Sequence, residues 1–208
     1  NMLFRDSYGG KIILRIDDTD GLRAQPERLK IVFDTLHWLG INWNEGPDIG
    51  GEYEPYIQSE RKSSYLKATE HLIKKNRAYR CFCNQSANSH GCLRDCKKYS
   101  QNEIDNRLSE GQQYCVRYCI NNEIESYFDL IHGEIHKELK DISDPVIVRT
   151  DGTPTFHLAT AVDEGALRIT HIIRGVDHIE SVFIQQQIMK DLGIKLPQYA
   201  HFSIYESE

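Results

Sequence analysis

Four cysteines fall within one short stretch, Cys81-x-Cys83 and, after eight intervening residues, Cys92-x-x-x-Cys96. Four thiolates at such close spacings suit one tetrahedral Zn2+ ion, and because they fill its coordination sphere they leave no position for a metal-bound water. The expected role of Cys81, Cys83, Cys92 and Cys96 is therefore a structural zinc site. The alternative reading is disulfide partners or ordinary buried thiols. Two further thiols, Cys115 and Cys119, and the lack of a hydrophobic export segment favour a reducing compartment and hence the metal. Cys115 and Cys119 share one face of a strand-like run, residues 113–120, and are read as packing groups, not ligands.

Charged groups form the second chemical feature. Lys11-Ile-Ile-Leu-Arg-Ile16 is a β-rich run that stops at Asp17-Asp18-Thr19-Asp20, so a buried strand would deliver carboxylates to its C-terminal edge, where α/β sheets bind ligands. Basic residues flank the cysteines: Lys74, Lys75, Arg77 and Arg80 before them, Arg94, Lys97 and Lys98 after. They could touch phosphate, or the first group could simply complement the dipole at a helix C-terminus.

The elements that must position these groups follow from pattern. Pro26 opens a helix with Leu29, Val32, Phe33, Leu36 and Leu39 on one stripe, stopped by Gly40. A second helix is expected over residues 59–76, with Tyr65, Ala68, Leu72 and Ile73 inward. Ser100-x-x-Glu103 is a capping-box pattern that predicts a short helix ending at Gly111. Strand-like runs at 113–120, 127–135 and 145–149 suggest a small, largely antiparallel insert. From Pro154 the alternation of strand and helix returns, with helices at 157–162 and 179–192 and strands at 169–173 and 199–204. Beginning and end thus read as halves of one interrupted sheet.

With 208 residues the chain is long enough for one domain carrying a smaller insert. Hydrophobic residues at 39% and charged residues at 27% are globular values, and no apolar run is long enough to cross a bilayer. A formal charge of −6 argues against indiscriminate nucleic-acid binding.

The string Leu14-Arg-Ile-Asp-Asp-Thr-Asp20, together with Glu45-Gly-Pro, Tyr53-Glu-Pro-Tyr-Ile-Gln-Ser-Glu-Arg61, Arg149-Thr-Asp-Gly-Thr-Pro-Thr-Phe-His-Leu-Ala159 and Ile169-Thr-His-Ile-Ile-Arg-Gly-Val-Asp-His178, resembles the glutamyl-tRNA synthetases over almost the whole chain. The resemblance implies an α/β fold: a Rossmann-type class I catalytic core interrupted by a small zinc-containing insert that receives the tRNA acceptor end. The implied division is 1–78 and 151–208 for the two parts of the catalytic domain and 79–150 for the insert. It implies an enzyme, a glutamate-tRNA ligase that activates L-glutamate with ATP and Mg2+ and transfers it to the 3′ end of tRNA. A monomer in the cytoplasm, or in an organelle matrix, is the corresponding expectation.

Residue by residue, the resemblance places Asp17 at the substrate α-amino group and Arg174 at its carboxylate end, a role suited to a bidentate fork. Phe156 stands where the family has a tyrosine; its ring can shape the glutamate pocket but cannot hydrogen-bond. Val176 replaces an acidic residue, while Asp177 and His178 line the ATP side. Read from spacing alone, Asp17 would be a helix-capping aspartate, Arg174 a surface arginine and His178 a packing group. No catalytic residue is expected within these 208 residues, because neither the His-Ile-Gly-His-type motif nor the Lys-Met-Ser-Lys-Ser-type loop is among them. The chain as given is expected to be inactive alone, ending at Tyr205-Glu-Ser-Glu208 just short of the second motif. Two other readings stay open: a glutamyl-queuosine tRNA(Asp) synthetase, and a non-catalytic zinc-stabilised tRNA-binding module.

Overall fold

A capping box starts one helix and a glycine stops another, and both were written in the local sequence. In the computed structural model, Ser100 Oγ accepts from the Glu103 N–H while the Glu103 carboxylate accepts from Ser100. Residues 1–19, 26–83, 92, 95–121, 124–140 and 142–203 are described; Asp20, Arg94 and the run from Ile204, expected to bear on the site or to end a strand, lie outside them. Two compact units result, Asn1–Ser63 and Ser64–Glu208. No helix among the described residues is long and apolar enough to cross a membrane.

The first unit holds α1 (Met2–Tyr8) and α2 (Pro26–Trp38). Helix α2 follows its expected bounds, but Val32 and Leu39, expected inward, are exposed. The run 11–16, read as a strand, makes only isolated parallel bridges, Ile13 with Glu45 and Ile16 with Ile57. It is pinned between two loops: the Leu14 N–H donates to the Glu45 carbonyl at 2.8 Å and the Ile16 N–H to the Tyr56 carbonyl at 2.9 Å. The Glu45 carboxylate, itself buried, accepts from the Tyr56 hydroxyl at 2.6 Å and from the Glu52 N–H at 3.1 Å. Gly51 lies so close to this knot that a Cβ there would come within 2.3 Å of the Tyr56 oxygen.

The second unit contains two sheets. Helix α3 (Lys62–Lys74), preceded in the chain by the 3-10 turn Gln58–Arg61 near the end of the first unit, has Tyr65 and Leu72 buried as expected. Strands β1 (Ala78–Cys81), β2 (Cys115–Tyr118) and β5 (Val146–Val148) form an antiparallel sheet in the order β1-β2-β5, with Cys81 opposite Cys115. Between β1 and β2 lies α4 (Gln101–Ser109).

The other sheet is formed by β3 (Ile124–Asp129), β4 (Gly133–Glu138), β6 (His171–Gly175) and β7 (Gln198–Phe202), in the order β4-β3-β7-β6. The run read as one strand, 127–135, is a hairpin of β3 and β4. Its turn forms because Asp129 Oδ1 accepts from the N–H groups of Ile131 and His132, at 2.9 and 3.0 Å, and Gly133 adopts φ 75°. The hairpin belongs with β6 and β7, which pair in parallel, and β3 joins β7 in parallel at Asp129 and Tyr199. The spacing of the runs predicts this stretch among the insert strands, and its parallel pairing with β7 corrects that expectation. Helix α5 (Phe156–Ala166) is buried on nearly every side, and Gly165 passes against Ile194 where a Cβ would lie at 2.8 Å. Helix α6 (Ile179–Leu192) has its expected bounds and ends at Gly193, φ 72°, with the Gly193 and Ile194 N–H groups closing back on Lys190 and Met189. Tyr127 packs edge-on against Phe183 and Tyr199, joining the sheet to α6.

Candidate functional site

In the first unit, Asp17 stands at the end of the pinned run with Arg15 across it. Arg15 Nε lies 2.6 Å from Asp17 Oδ1 and Nη2 3.0 Å from Oδ2, a two-point ion pair that leaves the carboxylate partly exposed. Its remaining lone pairs can accept from an ammonium group. The adjacent Asp18 does different work: it is buried and accepts from the Ser59 N–H at 2.8 Å and hydroxyl at 2.6 Å, holding the turn that precedes α3.

In the second unit, the other predicted residues come together where β6 ends and α5 begins. Phe156, at the first position of α5, is partly exposed and its ring lies 5.4 Å from the His178 ring. Asp177 and His178 form the 3-10 turn after β6, and their side chains, half exposed, approach to 3.5 Å. The Arg174 guanidinium reaches behind that turn. Its Nη2 donates to the His178 carbonyl at 3.2 Å and to Gln185 Oε1 at 3.1 Å, while Nε donates to His201 Nε2 at 3.3 Å. Among the described residues, Nη1 has no hydrogen-bond acceptor, so one edge of the fork is left for an anion. Burial lowers the pKa of Arg174, countered by nearby Glu164; starting from so basic a group, it stays charged.

Two residues that shape this site belong to no recognisable motif in the sequence. Asp129 and His201 are fully buried, and His201 Nδ1 lies 2.6 Å from Asp129 Oδ2. Only their placement on adjacent strands reveals the link, since they are 72 residues apart.

The cysteines also meet. The Sγ atoms of Cys81, Cys83, Cys92 and Cys96 all lie within 4.8 Å of one another, with Cys83 to Cys92 at 3.6 Å and Cys83 to Cys96 at 3.8 Å. Sulfurs arranged tetrahedrally about 2.3 Å from a zinc ion are separated by about 3.8 Å, so the cluster fits that ion. The Cys96 N–H donates to Cys92 Sγ at 3.1 Å. Burial pushes the Cys96 thiol up to about 11 and Cys81 higher still, so a cation would have to lower both for them to bind it as thiolates. Cys115 and Cys119 pack against the cluster, as expected.

The flanking basic residues are largely engaged already. Arg77 bridges to Asp191 at 2.7 Å, Lys75 donates to the Asp191 carbonyl at 2.8 Å and Lys97 approaches Asp144 at 3.6 Å. Lys98 pairs with Asp95.

The model of the family described as tRNA synthetases class I (E and Q), catalytic domain, matches residues 1–207. A glutamate–tRNA ligase of Acinetobacter baumannii (strain AYE) is 36% identical over 98% of this chain and 43% of its own length. That of Bacillus velezensis is 38% identical over 100% of this chain and 46% of its own. Among solved structures, a glutamate tRNA ligase from Elizabethkingia meningosepticum in complex with its amino acid superposes with a TM-score of 0.88 at 29% identity, covering 97% of this chain and 44% of that one. The chain thus spans less than half the length of these relatives. By its matched residues and its α/β architecture, the chain belongs to the class I tRNA synthetase family of the glutamyl and glutaminyl enzymes, in its catalytic domain.

Proposed function

We propose that these residues form the substrate-binding part of a glutamate–tRNA ligase, which activates L-glutamate with ATP and passes it to the 3′ end of tRNA. The observation that carries this is the anchored guanidinium of Arg174 with its free Nη1 edge, found in a chain whose relatives bear that activity over nearly all of its length. Glutamate recognition needs an anion for the ammonium and a cation for the carboxylate. Asp17 serves the first, Arg174 the second, and Phe156 walls the side chain. Asp177 and His178 line the ATP side, and Mg2+ accompanies the nucleotide.

Cys81, Cys83, Cys92 and Cys96 hold a structural zinc that stiffens the acceptor-binding insert, residues 79–150 between catalytic parts 1–78 and 151–208, with the β3–β4 hairpin as the stretch of the insert that joins the sheet of the second catalytic part through β7. All four positions of the metal are taken by sulfur, so its contribution is shape and folding energy. The corresponding setting is a cytoplasmic, monomeric enzyme.

The test is amino-acid-dependent ATP–pyrophosphate exchange and tRNA charging by the complete gene product containing these residues. Glutamate is expected to support exchange and to be transferred to the tRNA 3′ end. Exchange with a different amino acid, or none with glutamate, overturns the reading, and glutamate appearing on a base inside tRNA(Asp) would point to a queuosine-modifying enzyme instead. Residues 1–208 alone, which contain neither signature motif, are expected to give no exchange above background.

A further inference from the structure

Three neighbouring strands each contribute one residue to a continuous polar chain. Asp129 closes β3, His201 is the fourth residue of β7, and Arg174 is its register partner on β6. The Asp129 carboxylate is fully buried yet fully occupied: it accepts from the N–H groups of Ile131, His132 and His201 and from the His201 ring. A carboxylate in that state only accepts, so His201 Nδ1 carries the proton. Arg174 Nε only donates, so His201 Nε2 must present its lone pair. The two neighbours therefore fix one neutral tautomer of His201. A protonated Nε2 would set hydrogen against hydrogen.

This chain has a consequence for Arg174. An arginine side chain has several soft torsions, and a clamp for a carboxylate works only if the fork is held before the substrate arrives. Here Nε is tied to His201 and Nη2 to the His178 carbonyl and Gln185, which leaves Nη1 as the guanidinium nitrogen without an acceptor among the described residues. The His132 ring donates to the His201 carbonyl at 2.8 Å, binding the hairpin turn to β7 at the same point.

We propose that Asp129 and His201 are positioning residues that orient the Arg174 guanidinium toward a substrate carboxylate, with Asp129 fixing the imidazole tautomer and His201 accepting from the arginine. This rests on the reading of Arg174 as the carboxylate clamp. Replacing the carboxylate behind a buried imidazole by an amide keeps the shape but releases the tautomer.

The experiment compares Asp129→Asn, His201→Gln and Arg174→Lys in the complete gene product, with KM for glutamate and for ATP read from pyrophosphate exchange and the His201 ring read by 15N NMR. Wild type is expected to show protonated Nδ1 and an unprotonated, hydrogen-bonded Nε2. Asp129→Asn is expected to raise the glutamate KM about tenfold while the ATP KM moves less than about twofold. His201→Gln, whose amide oxygen can still accept from Arg174, is expected to lose less; it also decides the matter if Asp129→Asn fails to fold. A protonated Nε2 in wild type overturns the proposal. So does Asp129→Asn that shifts both KM values equally, or neither, while Arg174→Lys raises the glutamate KM. An unchanged glutamate KM in Arg174→Lys instead removes the clamp reading itself, and the positioning role with it.

Discussion

The Tyr65 hydroxyl donates to the Asp163 carboxyl group at 2.9 Å inside the second unit, fastening α3 to α5 across 98 residues of chain. Both residues are buried, so the bond is not exchanged for one with water. Tyr65→Phe keeps the ring and deletes the donor, and is expected to lower stability by about 1 to 3 kcal/mol. Urea unfolding followed by circular dichroism measures this, and an unchanged midpoint would mean that Asp163 is adequately held by its other neighbours.

Zinc should be present at one ion per chain. Cys83→Ser is expected to release it and to lower the melting temperature, because metal-binding free energy in such a site is folding free energy. Elemental analysis by mass spectrometry gives the stoichiometry. A melting curve indifferent to chelator would remove the metal from the account.

Phe156→Tyr restores a hydroxyl at the mouth of the candidate glutamate site without adding bulk elsewhere. The present ring is partly exposed and lies tilted beside the His178 ring, so the new hydroxyl can be accommodated. The glutamate KM is expected to fall about threefold to tenfold, the worth of one hydrogen bond. A glutamate KM that stays put, measured by exchange, would place the phenol away from the substrate.

Acid should destabilise the second unit in a defined order. Burial lowers the pKa of His157, and the Arg174 charge adds to it. Burial also lowers that of His201, where Arg174 outweighs nothing alone but joins burial against the upward pull of Asp129. Unfolding returns both imidazoles to about 6.5, so below that pH the unfolded chain takes up protons that the folded chain refuses, and stability falls until the lower folded values are passed. For Asp129, burial works upward, yet the hydrogen bonds from His201, Ile131 and His132 prevail and hold its pKa below the ordinary 3.8. Its share is present above that ordinary value and is lost as pH drops through the folded one. The melting temperature is expected to be lower at about pH 5.5 than at about pH 7.5, with a smaller drop in His157→Gln. A rise on acidification would contradict the assignment.

What the sequence made legible is what short-range chemistry decides. The capping box at Ser100 and Glu103, the glycine stop after α6 and the cysteine spacing each encode their outcome within a few residues. The hairpin was hidden because its turn depends on Asp129, whose other oxygen is engaged by His201 from a distant strand. The run 11–16 has strand composition, but its partners are loop residues near Glu45 and Tyr56, which composition does not disclose. Helix α2 shows an apolar stripe that is only partly covered within the first unit. Arg174 could be located by its motif, whereas the residues that hold it could not, since a buried acid and imidazole at strand ends look ordinary until the register is known.

That register carries an evolutionary consequence. Side chains alternate along β7, so inserting a single residue between Gln198 and His201 would swing the imidazole to the opposite side and leave an alanine or the inserted residue opposite Arg174. Length variation among descendants of this gene should therefore collect in the short link 195–197, upstream of the strand, and leave the strand itself untouched.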